Sequence, residues 1–106
     1  MVKSKLKDDS VIALKAGNSR RVEVLRFLIS LLDKRELSLP VGGMTEEEEL
    51  AVLRKEMKHK EEAREMFLKG ERTDLAKEID EEIEILQDYL PSEASDDEIK
   101  KMENIL

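Results

Sequence analysis

Apolar residues recur at helical intervals along most of this chain of 106 residues, and that periodicity limits its fold more than any other feature. The periodic segments are bounded by glycine, proline or polar residues that favour helix ends. No segment shows the apolar–polar alternation of a half-buried strand. Since 42% of the residues are charged and only 3% are aromatic, the core has to be aliphatic. The sequence predicts an all-α protein: a small bundle of four helices, plus a short C-terminal helix after a proline hinge.

The helix ends follow from capping signals. Ser19 is the expected N-cap of the second helix, and Thr45 with Glu48 forms a capping box before the third. A second capping box at Ser95 opens the short last helix. The four main helices are predicted over residues 3–16, 19–36, 46–69 and 73–89.

The same periodicity predicts which residues are buried. Leu14 is expected to face inward on the first helix. The apolar stripe of the second helix is the widest and includes Phe27, so this helix is predicted to be the core helix. Residues 58–62 are wholly polar, which predicts that the middle of the third helix stands clear of the core.

Pro91 divides the chain into two predicted parts. Residues 1–90 form one helical domain, and residues 91–106 form a hinge and the first helix of a truncated tail domain. That last helix has an apolar face, which either folds back on the first four helices or belongs to a second domain; the face comprises Ile99, Met102 and Ile105. The longest uncharged apolar run is residues 27–32, too short for a signal peptide or a membrane span, which predicts a cytoplasmic protein.

The residue types present exclude several kinds of chemistry. The absence of cysteine excludes disulfides, thiolate metal sites and thiol catalysis, and a single histidine excludes a multi-histidine metal site. The carboxylates of the fourth helix spread over a solvated face and form no convergent pair. We expect no catalytic residues, no cofactor and no metal site, and therefore not an enzyme that acts on its own.

Five strings of residues, in order, resemble a known family. They are Leu6-x-x-Asp9 with Ala13-Leu14-Lys15, Arg21-x-x-Val24-Leu25-Arg26 with Glu36, Thr45-Glu-Glu-Glu-Glu-Leu-x-Val-Leu53 with Lys58-x-Lys60, Gly70-x-Arg72-x-Asp74-Leu75, and Glu82-Ile-Glu-Ile-Leu86-x-x-Tyr89-Leu-Pro91. Together they resemble the GatB/YqeY-domain family over essentially the whole chain. That family includes small stand-alone bacterial proteins and the C-terminal extension of the B subunit of tRNA-dependent amidotransferases.

The resemblance implies a helical domain followed by a helical tail, and a link to tRNA-dependent amidation. The family label is carbon–nitrogen ligase activity with glutamine as amido-N-donor, which would belong to the assembled amidotransferase. In the B subunit chiefly the tail engages tRNA, and here most of that tail is expected to be missing. The positions that match the family's motifs are Arg21, Arg26, Arg72, Asp74, Tyr89 and Pro91.

Simple structural roles are expected for these matched residues. Asp74 lies near the start of the fourth helix, where it favours the helix dipole, and Arg72 is expected to pair with a neighbouring acid. Arg26 is expected to extend its charge to solvent or to meet an acid such as Glu36 or Asp9. Tyr89 is interpreted as a residue that packs at the hinge.

Charge is distributed unevenly, and the third helix concentrates bases. Residues 1–36 carry a net charge of +4, residues 37–70 of −2 and residues 71–106 of −9, which together give −7. The basic residues predicted to dock tRNA phosphates are Arg54, Lys55, Lys58, Lys60 and Arg64, with His59 among them. Two alternatives stay open: these bases pair with acids of their own helix, or the protein is a protein–protein adaptor, or self-associates, through Ile99, Met102 and Ile105.

Overall fold

The computed structural model describes residues 2–90, and these form four α-helices joined by turns and one longer loop. The helices are α1 (Val2–Lys15), α2 (Ser19–Leu37), α3 (Glu46–Lys69) and α4 (Thr73–Gln87). None of the described residues belongs to a strand, so the predicted all-α bundle is confirmed. The hinge at Pro91 and the predicted C-terminal helix lie outside the described residues.

Two antiparallel hairpins make up the bundle. α1 packs along α2, α3 packs along α4, and α2 also contacts α3 and α4. The largest fully buried side chains are leucines from all four helices and one acid, Glu49 of α3; the leucines are Leu6, Leu25, Leu28, Leu32, Leu53 and Leu86. Because α2 is covered from several sides, its apolar stripe has to be wide, and its prediction as the core helix is confirmed.

The helix ends use caps that differ in part from the predicted ones. Asn18, not Ser19, is the N-cap of α2, and its side-chain oxygen accepts a hydrogen bond of 3.1 Å from the backbone N–H of Arg21. Thr45 caps α3 as predicted, because its hydroxyl oxygen accepts from the backbone N–H of Glu48 at 3.2 Å. The Glu48 carboxylate does not complete the capping box; it accepts from Arg35 of α2 at 3.1 Å.

Three burial predictions are wrong. Leu14 and Phe27 are 57% and 47% exposed, since each lies off the inward line of its helix although it is apolar. The polar middle of α3 does not stand clear of the core: Lys60 is only 6% exposed. Lys60 lies three and seven residues after Met57 and Leu53, so it shares their inward face, and a carboxylate on α4 compensates its charge.

Candidate functional site

The five basic residues predicted to act together lie on two different faces of α3. A helix turns about 100° per residue, so Lys55 and Lys60 point roughly 140° apart. Arg54, Lys55 and Lys58 are exposed, whereas Lys60 is buried and Arg64 is half-buried toward α4. The predicted basic surface is therefore divided, and its two parts have different surroundings.

Lys60 is the centre of a polar cluster between three helices. Its ammonium lies 3.1 Å from a carboxylate oxygen of Glu82 on α4 and 5.4 Å from the ring centroid of Phe27 on α2. The second oxygen of Glu82 lies 3.6 Å from the guanidinium of Arg20, which also donates to the backbone carbonyl of Glu78 at 3.2 Å. The Lys60 ammonium therefore interacts with groups of the protein itself and is not accessible to a ligand.

Arg64 is paired in the same way, with Asp80 of α4. The acids that neutralise Lys60 and Arg64 both come from α4, not from α3 itself. The alternative prediction, that the bases pair with acids of their own helix, is therefore wrong for these two residues. Acidic side chains of α4 that the sequence assigned to a solvated face include two that stabilise the α3–α4 hairpin.

Two of the exposed bases of α3, Lys55 and His59, line a groove of about 570 Å³ between α2 and α3, and so do the acids Glu48 and Glu56. Leu31, Ala51 and Val52 line it, with Lys55 and His59 on the α3 side. On the α2 side, Lys34 and Arg35 line it. The outer surface of the bundle thus has bases on both sides of one groove. We call Arg54, Lys55, Lys58 and His59 the outer basic face.

Lys34 could not be assigned to this surface from the sequence. It lies in the last turn of α2, where a lysine is ordinary because it complements the helix dipole. Only the packing of α2 on α3 brings it to the groove. Arg35 beside it is less available to a ligand, because its Nε lies 3.1 Å from a carboxylate oxygen of Glu48 in an ion pair.

Neither a metal-ligand group nor a membrane-spanning helix is found in the part of the chain that the structure describes. No three histidine, cysteine, aspartate or glutamate residues within residues 2–90 are grouped so that they could hold a metal ion. In the same part of the chain, no helix has the length and apolarity needed to cross a membrane.

A family model described as Yqey-like protein matches residues 3–105. The chain belongs to this family. The match confirms the family predicted from the five strings of residues. No curated protein matches this Yqey-like protein.

Two family-motif residues of the Yqey-like protein form an ion pair at the start of α4. Nε and Nη2 of Arg72 donate to the two carboxylate oxygens of Asp74 at 3.3 and 3.2 Å. The hydrogen bonds from Arg72 lower the pKa of Asp74 below its ordinary value, and they raise the pKa of Arg72. Asp74 also lies in the first turn of α4, where a negative charge favours the helix dipole.

Tyr89 and Arg21 join the end of α4 to the other hairpin. The buried Tyr89 hydroxyl donates to a carboxylate oxygen of Asp9 at 2.6 Å, and Lys5 lies 5.4 Å from its ring centroid. Arg21 lies 3.6 Å from Asp88. Burial, reinforced by Asp9, raises the pKa of Tyr89 well above its ordinary value. These contacts hold the last described residues against α1 and α2.

Arg26, by contrast, does not meet either acid expected for it. Its side chain is exposed on α2, where its charge faces solvent. Glu36 accepts from Lys3 instead, at 3.1 Å, and Asp9 is bound by Tyr89. The remaining motif residue, Pro91, and the predicted apolar face of Ile99, Met102 and Ile105 lie outside the described residues.

Proposed function

We propose that this Yqey-like protein is a non-catalytic helical module that docks tRNA through the outer basic face of α3. The observation that carries the proposal is the division of the α3 bases. Lys60 and Arg64 are neutralised by α4, while Lys55 and Lys58 are exposed, and Lys55 lines a groove that also presents Lys34. The docking surface is therefore narrower than the predicted one and extends across the groove to α2.

The binding mode follows from the side chains available. Lysine ammonium groups contact phosphate oxygens and fix the position of an RNA without reading its bases. Base stacking would need exposed aromatic rings, and the chain has three aromatic residues. Tyr89 is buried, Phe67 is half-buried, and the partly exposed ring of Phe27 already has the Lys60 ammonium over it. Recognition would thus depend on the shape and backbone of a folded RNA.

The acidic balance of the chain makes this binding sensitive to salt. A net charge of −7 repels a polyanion at long range, so only the local field of the outer basic face favours contact. Each phosphate contact releases counterions, and the affinity falls steeply as salt is added. We therefore expect binding at low ionic strength and much weaker binding at physiological salt.

The role in tRNA-dependent amidation rests on the family resemblance. The module would help to hold tRNA while the glutamine-dependent carbon–nitrogen ligase chemistry takes place on catalytic subunits that this chain does not supply.

Fluorescence anisotropy with bulk tRNA across a salt series tests the proposal. Lys55→Gln/Lys58→Gln should weaken binding at low salt by roughly tenfold and lower the salt slope by about two. The matched control is Lys15→Gln/Lys77→Gln, which removes the same charge from exposed lysines of α1 and α4. Lys34→Gln should give a smaller loss in the same direction.

Two results would contradict the proposal. If the wild-type chain does not bind tRNA at low salt, tRNA is not its ligand. If both double variants weaken binding equally, only net charge matters and the outer basic face is not the docking site. Lys60 is left out of the test because its substitution would disturb the fold.

A further inference from the structure

A second, smaller groove lies on the α1–α2 hairpin, near the last described residues. It measures about 230 Å³ and is lined by Asp9, Ile12, Ala13, Ala16, Asn18 and Arg21. Small-molecule sites begin at roughly 300 Å³, so this groove is better suited to one or two side chains. We call it the α1 groove.

One ridge of α1 borders this groove and is only half covered. Lys5, Asp9, Ile12 and Ala16 follow one another at spacings of four, three and four residues, so they form a line along the helix. Tyr89 covers the first half, because its ring lies under Lys5 and its hydroxyl binds Asp9. In the second half Ile12 is 63% exposed, although it is apolar.

The described part of the chain ends beside this groove. Asp9 and Arg21, which line the α1 groove, bind Tyr89 and Asp88 respectively, and Leu90 is buried in the core. The last described residues therefore lie next to the groove. Eight residues separate Leu90 from Ile99, and a stretch of that length can span about 25 Å or more, so reach is not limiting.

The sequence beyond Leu90 is complementary to this surface. Residues 93–98 include Glu93, Asp96, Asp97 and Glu98, whereas residues 1–36 carry a net charge of +4. Ile99, Met102 and Ile105 then provide apolar side chains at helical spacing. The groove lining itself is balanced in charge, by Asp9 and Arg21, so the apolar residues of this segment carry the fit, and the positive charge of residues 1–36 adds only a general attraction.

We propose that the α1 groove is the docking site of residues 91–106 of the same chain, whose apolar side chains cover Ile12 and Ala16. The segment is tethered beside the groove, so its effective concentration there is high. A second copy has no such advantage, and a groove this small buries far less surface than a stable dimer needs. The proposal is independent of tRNA docking, which concerns a different groove, between α2 and α3.

Cysteine cross-linking tests the proposal on the full chain, which contains no cysteine of its own. Ile12→Cys is combined in turn with Ile99→Cys, Met102→Cys or Ile105→Cys and oxidised at low protein concentration. The control is Leu14→Cys with the same partners, since Leu14 is similarly exposed on the same helix but points roughly 160° away. At least one Ile12 pair should form an intramolecular disulfide about tenfold faster than its Leu14 counterpart.

Proteolysis provides a second measurement that needs no cysteine. Trypsin can cut after Lys100 and Lys101, and docking should slow that cleavage. Ile12→Asp should accelerate it by about tenfold, because an apolar contact is replaced by a charge, whereas Leu14→Asp should not. Circular dichroism verifies that each variant keeps its helices.

The proposal is overturned by equal oxidation rates at positions 12 and 14, or by a cleavage rate that Ile12→Asp leaves unchanged. Predominant cross-linked dimers would also overturn it, because they would assign the groove to a second copy. Retained tRNA binding in any of these cases would leave the proposed function unaffected.

Discussion

At the scale of single residues, Lys60 is a buried cation that joins α2, α3 and α4. We expect Lys60→Ala to lower the free energy of unfolding by about 2 kcal/mol, less than for a fully buried pair because Glu82 is partly exposed. Lys58→Ala, on the exposed face of the same helix, should stay within about 0.5 kcal/mol. Urea denaturation measures both, and equal losses would show that the ion pair does not stabilise the fold.

Tyr89 supplies a second test at this scale, because it is the only tyrosine and its phenolate absorbance can be followed alone. Burial and the hydrogen bond to Asp9 raise its pKa in the folded state. Its contribution to stability is complete below about pH 10, the ordinary tyrosine pKa, and is lost as the pH rises toward the folded-state pKa. Phenolate absorbance should therefore appear at higher pH in the folded chain than in urea.

The variant Tyr89→Phe is the corresponding control. It should lack this loss of stability with rising pH and should be less stable at neutral pH by about 1.5 kcal/mol, since it removes a hydrogen bond to a carboxylate. If the folded and unfolded chains titrate together, the Tyr89 hydroxyl is not buried against Asp9.

At the scale of the helix, the N-cap of α2 is Asn18 in the structure, whereas the sequence predicted Ser19. Asn18→Ala removes the side-chain cap on the Arg21 N–H and should lower the free energy of unfolding by about 1 kcal/mol. Ser19→Ala, at the cap predicted from sequence, should have an effect within about 0.5 kcal/mol. Thermal unfolding of the two variants compares them directly, and a larger effect of Ser19→Ala would contradict the observed cap.

Helices were easier to predict than the faces they present. Capping residues and glycine–proline breaks act locally, so the ends of all four helices lie within two residues of the predicted ends. Burial depends on partners distant in the chain. The polar stretch at residues 58–62 suggested exposure, but Glu82 on another helix makes it favourable to bury Lys60 there. No pattern within α3 contains that information.

At the scale of the whole molecule, the two hairpins share one core. Leu28 of α2 belongs to the same buried cluster as Leu53 and Met57 of α3 and Leu86 of α4. Leu28→Ala should therefore lower the free energy of unfolding by about 3 kcal/mol while the transition stays single. Far-ultraviolet circular dichroism and Tyr89 fluorescence should give coincident urea curves.

Leu37→Ala is the matched control, because this leucine is almost fully exposed at the end of α2. It should change stability by less than about 0.5 kcal/mol. Curves from the two probes that separate in the Leu28 variant would show that the hairpins unfold independently.

The candidate site was predictable only in part. The bases of α3 are evident in the sequence, and their number suggests a polyanion surface. Which of these bases can bind a polyanion depends on two other helices. Acids of α4 form ion pairs with Lys60 and Arg64, and α2 contributes Lys34 to the groove. Both effects require the tertiary arrangement, so the outer basic face could not be separated from the paired bases by spacing alone.

The position of α4 also determines how the protein would lie on a charged solid support. α4 carries six acidic residues and one lysine, and it packs on the side of α3 opposite Lys55 and Lys58. An anion-exchange bead should therefore hold the molecule by α4 and leave the outer basic face turned toward the solution. A cationic sensor surface would immobilise the protein in a uniform orientation, with the candidate docking face accessible and without any chemical coupling.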